Sequence, residues 1–541
     1  MSRPPTLFVR RASGLIREVG PWTALATTMS WTIGGGVNWL MIKVSYDFPG
    51  ANIPLAFLMV GIGAILTAIA YSYLLASMPR TGGDYIFISR GLNPLLAFAL
   101  TWGYWLATAI ATGTIAFWDV WYWGLSLQIA GVALGDKTLI AIGNALSTDP
   151  LQMLILGTIL TIGMGLVAFF GIRTYTKLIW IFFAIPVIGS MVMFAALING
   201  NIASAKALFD AAFGAGTWDS VLKIAYDVGF NDKIYGVFSW EATAGALLSP
   251  MFAFVGCWSM VSYIGGEIKE PSKTAIWGGV MAVLVITLYM VGASFLVYGA
   301  YGKFIGAYTY AFFKAKDRLA EVMPYTGRPM LPFFVAGLMP GQPILQILVS
   351  LIAALWLLND IPAFYLVSTR LPFSWSFDRF FPELLAEVNR YGSPTWSILL
   401  AMILAEISVI GWYWGEAFGY YGLALFVADL DSLSTLLWWL PSVFGSLAAV
   451  ILPFYRKDLY DRSPLKHEIS GIPVMSIAGL GAFFMQLFLY MSLLGSGHKM
   501  SLMLELVLFY TIGAAIFIFY LVYNAKRGID IKTLFGEIPP M

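Results

Sequence analysis

The chain has 541 residues, 59% of them hydrophobic, 16% aromatic and only 11% charged, with a mean hydropathy of +0.80. No soluble core has use for that much apolar surface, so the composition points to an all-α polytopic membrane protein embedded in a lipid bilayer. A formal net charge of +2 gives no reason to expect a nucleic-acid partner, and the lone cysteine, Cys257, excludes an internal disulfide framework. No Cys/His cluster has metal-ligand spacing, so no metal or other cofactor is expected.

Residues 1–21 carry Arg3, Arg10, Arg11 and Arg17 but lack the short apolar region and small-residue cleavage site of a signal peptide, so the first apolar run is expected to stay in the mature chain. That run begins near Trp22 and contains Ser30-Trp31-Thr32-Ile33-Gly34-Gly35-Gly36-Val37-Asn38. Three consecutive glycines neither pack nor stiffen a helix. At a rise of about 1.5 Å per residue, Gly35 lies roughly 20 Å beyond Trp22 and about 12 Å before Lys43, near the middle of a ~30 Å hydrocarbon core. Backbone that leaves the helix at that depth must be buried in protein or line a cavity, which makes Gly34, Gly35 and Gly36 candidate binding residues; close helix packing on small residues is the alternative.

Further runs of spanning length begin near Ile53, Pro94, Leu151, Lys177, Ala244, Ala275, Pro343, Thr395, Ser432, Ile472 and Met503, giving about twelve spans. They divide the chain into an N-terminal segment (1–21), five spans (22–198), a long loop (199–243), five more spans (244–453), an inner loop (454–471), two extra spans (472–523) and a tail (524–541). An even number puts both termini on one side. Of the Lys and Arg between spans, 20 fall on that side and 11 on the other, most of the latter in two long loops, so both termini are expected in the cytoplasm and the chain in the cytoplasmic membrane. In the first long loop Trp218, Val221, Leu222 and Ala225 sit at helical spacing, which predicts an amphipathic helix covering the outer face.

The sixth span repeats the peculiarity of the first. Gly256 lies roughly 16 Å from the inner-side Glu267, again near mid-depth, and Pro250 adds a second helix breaker. Paired interruptions at corresponding positions of two oppositely oriented five-span units point to the binding site of a secondary transporter.

Charged residues within spans are expensive, so each needs a reason. Asp119, far past Pro94 and surrounded by Trp118, Trp121, Tyr122 and Trp123, reads as interfacial, in an outer aromatic belt. Glu406 is expected to be protonated or bonded to a neighbouring helix, Asp429 and Asp431 to be wetted, His467 and His498 to be solvated in loops, and Cys257 to be a small packing residue. Asp360 stands about 15 Å before Arg370, near mid-depth, with no Lys or Arg in the spans to pair it. It is a functional candidate, with the Asn359 amide beside it and a carbonyl freed one turn earlier by Pro362.

Several stretches resemble the amino acid permeases of the amino acid/polyamine/organocation superfamily. Met78-Pro79-Arg80-Thr81-Gly82-Gly83-Asp84-Tyr85 is similar to that family's P-x-x-G-G-D-Y, and Ile33-Gly34-Gly35-Gly36-Val37 to its first-helix I-G-x-G-I. Phe252 to Trp258 resembles F-x-F-x-G-x-E, Gly266-Glu267-Ile268-Lys269-Glu270-Pro271 resembles G-E-x-K-N-P, and Arg370 to Pro382 the inner loop S-R-x-x-x-x-x-A-R-D-G-x-x-P. The resemblance implies a LeuT-like fold of two inverted five-span repeats plus two extra helices. A substrate carboxylate would then sit on the amides of Gly34, Gly35 and Gly36, and its ammonium on carbonyls of Ile33, Phe252 and Val255, with Gly256 at the second break and Phe252 as an occluding aromatic. It also implies an ion site at Asp360 and Asn359, completed by carbonyls near Trp31 and Gly34, that holds Na⁺ or in which Asp360 carries a proton. Two departures matter: Trp258 stands where the family usually has Glu, which puts bulk beside the pocket and makes it a candidate substrate-binding residue, and the fifth span lacks the buried lysine of some relatives.

The expected function is a secondary transporter, not an enzyme, that imports or exchanges amino acids by alternating access. Trp258 in place of an acid, and no other buried anion near the sixth-span break, favour neutral substrates over dibasic ones. A polyamine or organic cation transporter and a non-transporting sensor of the same fold are the alternatives. An enzyme would need convergent ionisable groups that the spans lack, and a channel would need a continuous polar stripe.

Overall fold

A computed structural model describes residues 8–9, 12–34, 36–235, 237–419, 430–495 and 500–540. Among the described residues ten helices are long and apolar enough to cross a membrane: Ile53–Ser77, Pro94–Leu134, Pro150–Phe169, Ile172–Ile198, Pro271–Tyr301, Pro343–Phe377, Thr395–Phe418, Leu433–Tyr455, Val474–Gly495 and Leu502–Lys526. They coincide with ten of the runs expected from the sequence. The two missing from the set are the first and sixth, because neither is a single helix.

In the first span, a helix at Pro21–Thr32 ends at the glycines, and the chain resumes as a π-helical turn, Gly36–Leu40, followed by a helix at Met41–Asp47. The sixth comprises helices at Trp240–Ala246, Leu248–Phe254 and Met260–Tyr263. Pro250 has no N–H for the preceding turn, which accounts for the division after Ala246. The larger break is a turn at Val255 and Gly256, closed by the Cys257 N–H on Phe254 O at 3.1 Å, in which the Gly256 φ of 67° is a left-handed conformation that L side chains resist. The interrupted spans are the first and the sixth in chain order. The regular helices begin with local signals: Asn52, Asn93 and Asp149 each cap a helix whose first turn carries proline.

Burial separates centre from periphery. In Pro94–Leu134 and Pro343–Phe377, 78% and 72% of the spanning window is buried, against 28% in Pro150–Phe169 and Ile172–Ile198, so the former two helices form the central wall against which the breaks pack. Leu151, Ile155, Ile159, Ile162 and Leu166 are exposed at helical spacing, as expected of a lipid-facing stripe. The amphipathic helix of the first long loop forms at Thr217–Asp227, with Trp218 stacked 3.6 Å from Phe304 of the second long loop. The two loops thus cover each other. Among the described residues the only strands are a hairpin, Glu468–Ile469 with Ile472–Pro473, in the inner loop.

One placement differs from the sequence reading. Asp119 is fully buried rather than interfacial, and Trp118, Trp121 and Tyr122 are buried with it. The helix that carries them is 41 residues long and its outer half is roofed by protein: Trp412 of Thr395–Phe418 packs on Trp118 and Trp121, and Arg328 of the second long loop covers Trp121. Glu406 accepts a hydrogen bond from Thr158 of a neighbouring helix at 3.0 Å, as expected, and Cys257 is buried. His467 lies in a loop but is bonded to the Tyr73 hydroxyl at 2.8 Å. Gly35, Asp429, His498 and the side chain of Asp431 lie outside the described residues.

Candidate functional site: a closed cavity between the two breaks

The two interruptions face each other. The indole Nε1 of Trp31 donates to the carbonyl of Val255, and a Cβ on Gly256 would lie 3.2 Å from that same nitrogen and 2.6 Å from the Tyr104 hydroxyl. Glycine at 256 therefore permits both the left-handed turn and the close approach. On the other side of the first break, an ideal Cβ on Gly34 would fall 2.5 Å from Oδ2 of Asp360. The eighth span thus presses its carboxylate against the glycine break. Asn359 Nδ2 donates to Ser30 Oγ at 2.7 Å and fixes this register.

Between these elements lies a cavity lined by Trp31, Thr32, Phe252, Val255, Asp360 and Phe364, with Ile115, Trp118 and Ala253 completing its walls. It leaves about 10 Å³ for the centre of a water molecule, room for roughly one. The site is closed in this conformation. Trp31 stacks on Phe364 with ring centres 4.0 Å apart, and Phe252 lies against Trp118 and Trp438. Asp360 Oδ1 is buried without a hydrogen-bond partner among the described residues, and so is Asn359 Oδ1.

The three carbonyls expected to take a substrate ammonium each accept a bond from within the protein: Ile33 O from Asn38 Nδ2 at 3.4 Å, Phe252 O from Val255 N at 3.4 Å and Val255 O from Trp31, while Asn38 Nδ2 also donates to Gly34 O at 3.1 Å. A carbonyl has two lone pairs, so these bonds order the break without exhausting its acceptors. Trp258 points elsewhere: its Nε1 donates to Ser442 at 2.9 Å, its ring meets Trp439, and it is not among the cavity walls. Nothing in the sequence distinguishes Phe364 and Ile115, because aromatic and aliphatic residues are everywhere in these spans, and Trp118, read as part of an aromatic belt, instead lines the cavity.

The other three signature motifs, around Asp84, Glu267 and Arg370–Pro382, lie away from the cavity and are bonded to one another. Arg370 holds Glu267 in a two-point ion pair, Nε to Oε2 at 3.1 Å and Nη2 to Oε1 at 2.7 Å, with both side chains inaccessible to solvent. Asp84 accepts from the hydroxyls of Tyr71 and, at 2.6 Å, Tyr263. Asp378 accepts from Arg90 at 2.7 Å and Tyr85 at 2.9 Å. The loops of the second, sixth and eighth spans are thereby pinned together, and the N-terminal segment joins them through Glu18 and Val19 N–H groups on Glu267 O. Elsewhere the Arg328 guanidinium lies 3.6 Å from the Trp121 ring centre and 5.6 Å from that of Trp39, bridging third and first spans.

A family model described as amino acid permease matches residues 19–518, nearly the whole chain. The chain belongs to the amino acid permease family. This permease is 22% identical to an arginine/agmatine antiporter of Chlamydia abortus over 96% of its own length and 93% of the relative's. It is 22% identical to an arginine/ornithine antiporter of Lactococcus lactis, covering 73% and 69% of the two chains, and 21% identical to a methylthioribose transporter of Bacillus subtilis, covering 70% and 71%. Family membership makes the permease a multi-pass membrane transporter and not an enzyme.

Proposed function

We propose that this permease exchanges amino acids across the cytoplasmic membrane by alternating access, taking its substrate into the cavity between the two breaks. The cavity carries the reading: it is enclosed, aromatic-walled, flanked by two interrupted spans, covered on both sides, and contains a carboxylate with one oxygen unpartnered among the described residues. The substrate carboxylate would accept from amides at Gly34, Gly35 and Gly36, and its ammonium would take the remaining lone pairs of Ile33, Phe252 and Val255. Asp360 is the counter-charge for a transported cation. The two five-span units act as inverted repeats that rock about the site, with both termini in the cytoplasm. The Arg370–Glu267 and Asp84 contacts open on one side and the Arg328 contact on the other.

Relatives named as arginine/ornithine and arginine/agmatine antiporters favour exchange over ion-driven uptake, and cationic over neutral substrates. The expectation of neutral substrates rested on the lack of a buried anion near the sixth-span break. Asp360 shares a cavity wall with Phe252 and Val255, which removes that premise. A second reading, a neutral substrate co-transported with Na⁺ or H⁺, is supported by the unpartnered oxygens on the adjacent residues Asn359 and Asp360, two acceptors for one small cation.

Uptake of a labelled amino-acid panel into proteoliposomes separates them. Exchange requires that uptake of labelled arginine depend on unlabelled amino acid inside and not on a Na⁺ or pH gradient. Gradient-driven accumulation in empty vesicles, lost in Asp360→Asn, supports the second reading. No uptake of any panel member in either format refutes both.

A further inference from the structure

We infer that Asp119 is a second anion of the central site, and that with Asp360 it selects substrates bearing two cationic groups, a basic amino acid or a diamine. The inference rests on the cavity being the transport site. Asp119 is fully buried; its Oδ2 accepts from Trp123 Nε1 at 3.1 Å, and its Oδ1 has no hydrogen-bond partner among the described residues. Asp360 Oδ1 is in the same condition, and neither carboxylate forms an ion pair with a described residue. Ile115, one helical turn before Asp119 and on the same face of Pro94–Leu134, and Trp118, its neighbour in the chain, form part of the cavity wall that Asp360 completes.

Two like charges in one water-poor pocket repel each other strongly, and one cation would neutralise only one of them. A ligand with cations at both ends of an alkyl chain would satisfy both carboxylates. The walls suit such a chain: Trp31, Trp118, Phe252 and Phe364 offer apolar faces for methylenes and π faces for the charged ends.

The test is direct binding to the purified full-length protein, read from intrinsic tryptophan fluorescence, with lysine against norleucine and 1,4-diaminobutane against 1-aminobutane. Each pair differs in one cationic group. The wild type is expected to bind the doubly cationic member at least about tenfold more tightly. Asp119→Asn should abolish that ratio while leaving norleucine binding unchanged, and Asp119→Glu should retain part of it. Equal affinities within both pairs in the wild type overturn the inference, as does an Asp119→Asn protein that loses both members of a pair alike. If Asp119→Asn does not fold, the wild-type ratios decide alone. Asp360→Asn separates this inference from the site assignment: an unchanged affinity for every probe in that variant refutes the central site, whereas a failure confined to Asp119→Asn refutes only the second anion.

Discussion

Gly34→Ala tests the contact on which the site is built. An ideal Cβ at that position lies 2.5 Å from Asp360 Oδ2 and 3.1 Å from Asp360 Cβ and Cγ, against the ~3.5–4.0 Å at which carbon atoms attract. The colliding side chain is short and rooted in the long helix Pro343–Phe377, so it has no flexible end to swing aside. Gly34 has no left-handed φ, which leaves the clash as the only penalty. Overpacking of this kind costs about 1–3 kcal/mol, and a deflected Asp360 should weaken substrate binding by roughly 10- to 100-fold if the same energy is lost from the bound state. Thermal unfolding in detergent should show Gly34→Ala less stable than wild type. Asp360→Ala, which removes the obstructing carboxyl, should restore that stability in the double variant without restoring binding, a coupling of about 1–3 kcal/mol. Wild-type stability and affinity in Gly34→Ala, or strictly additive losses in the double variant, would refute the geometry.

Three further outcomes follow. Arg370→Ala leaves Glu267 buried without its two-point partner and should destabilise the protein by about 3–5 kcal/mol, whereas Arg370→Met combined with Glu267→Gln should cost less than either single change; thermal denaturation of the four proteins checks this. Arg328→Ala removes the cation between Trp39 and Trp121 and should raise the rate at which a membrane-impermeant thiol reagent added outside modifies Cys257, the chain's one cysteine, and an unchanged rate would deny Arg328 a part in outer closure. Glu270 adopts a φ of 45° where the family pattern has Asn, and its ion pair with Lys273 is exposed, so Glu270→Asn should raise the unfolding free energy by about 1 kcal/mol; a loss of stability would refute the strain argument.

The sequence by itself determined the span count, the two interruptions and the isolation of Asp360. Each of these is a local property. An apolar run of sufficient length spans, glycines and proline interrupt it wherever it folds, and a carboxylate amid apolar residues needs a partner whatever surrounds it. Ten spans are continuous helices and the two read as broken are broken, for that reason. Only the tertiary structure decided what closes over those elements. Aromatic residues around Asp119 read the same in a solvated belt and in a core; burial came from Trp412 and Arg328, nearly 300 and about 210 residues further along the chain. Asn38 on the first break and Trp31 on the second settled which carbonyls are engaged, and Asp84 and Glu267, legible as motif letters, acquired their role from Tyr263 and Arg370. These pairings depend on how helices distant in sequence pack against one another, and neither the length of a run nor the chemistry of a single residue encodes that.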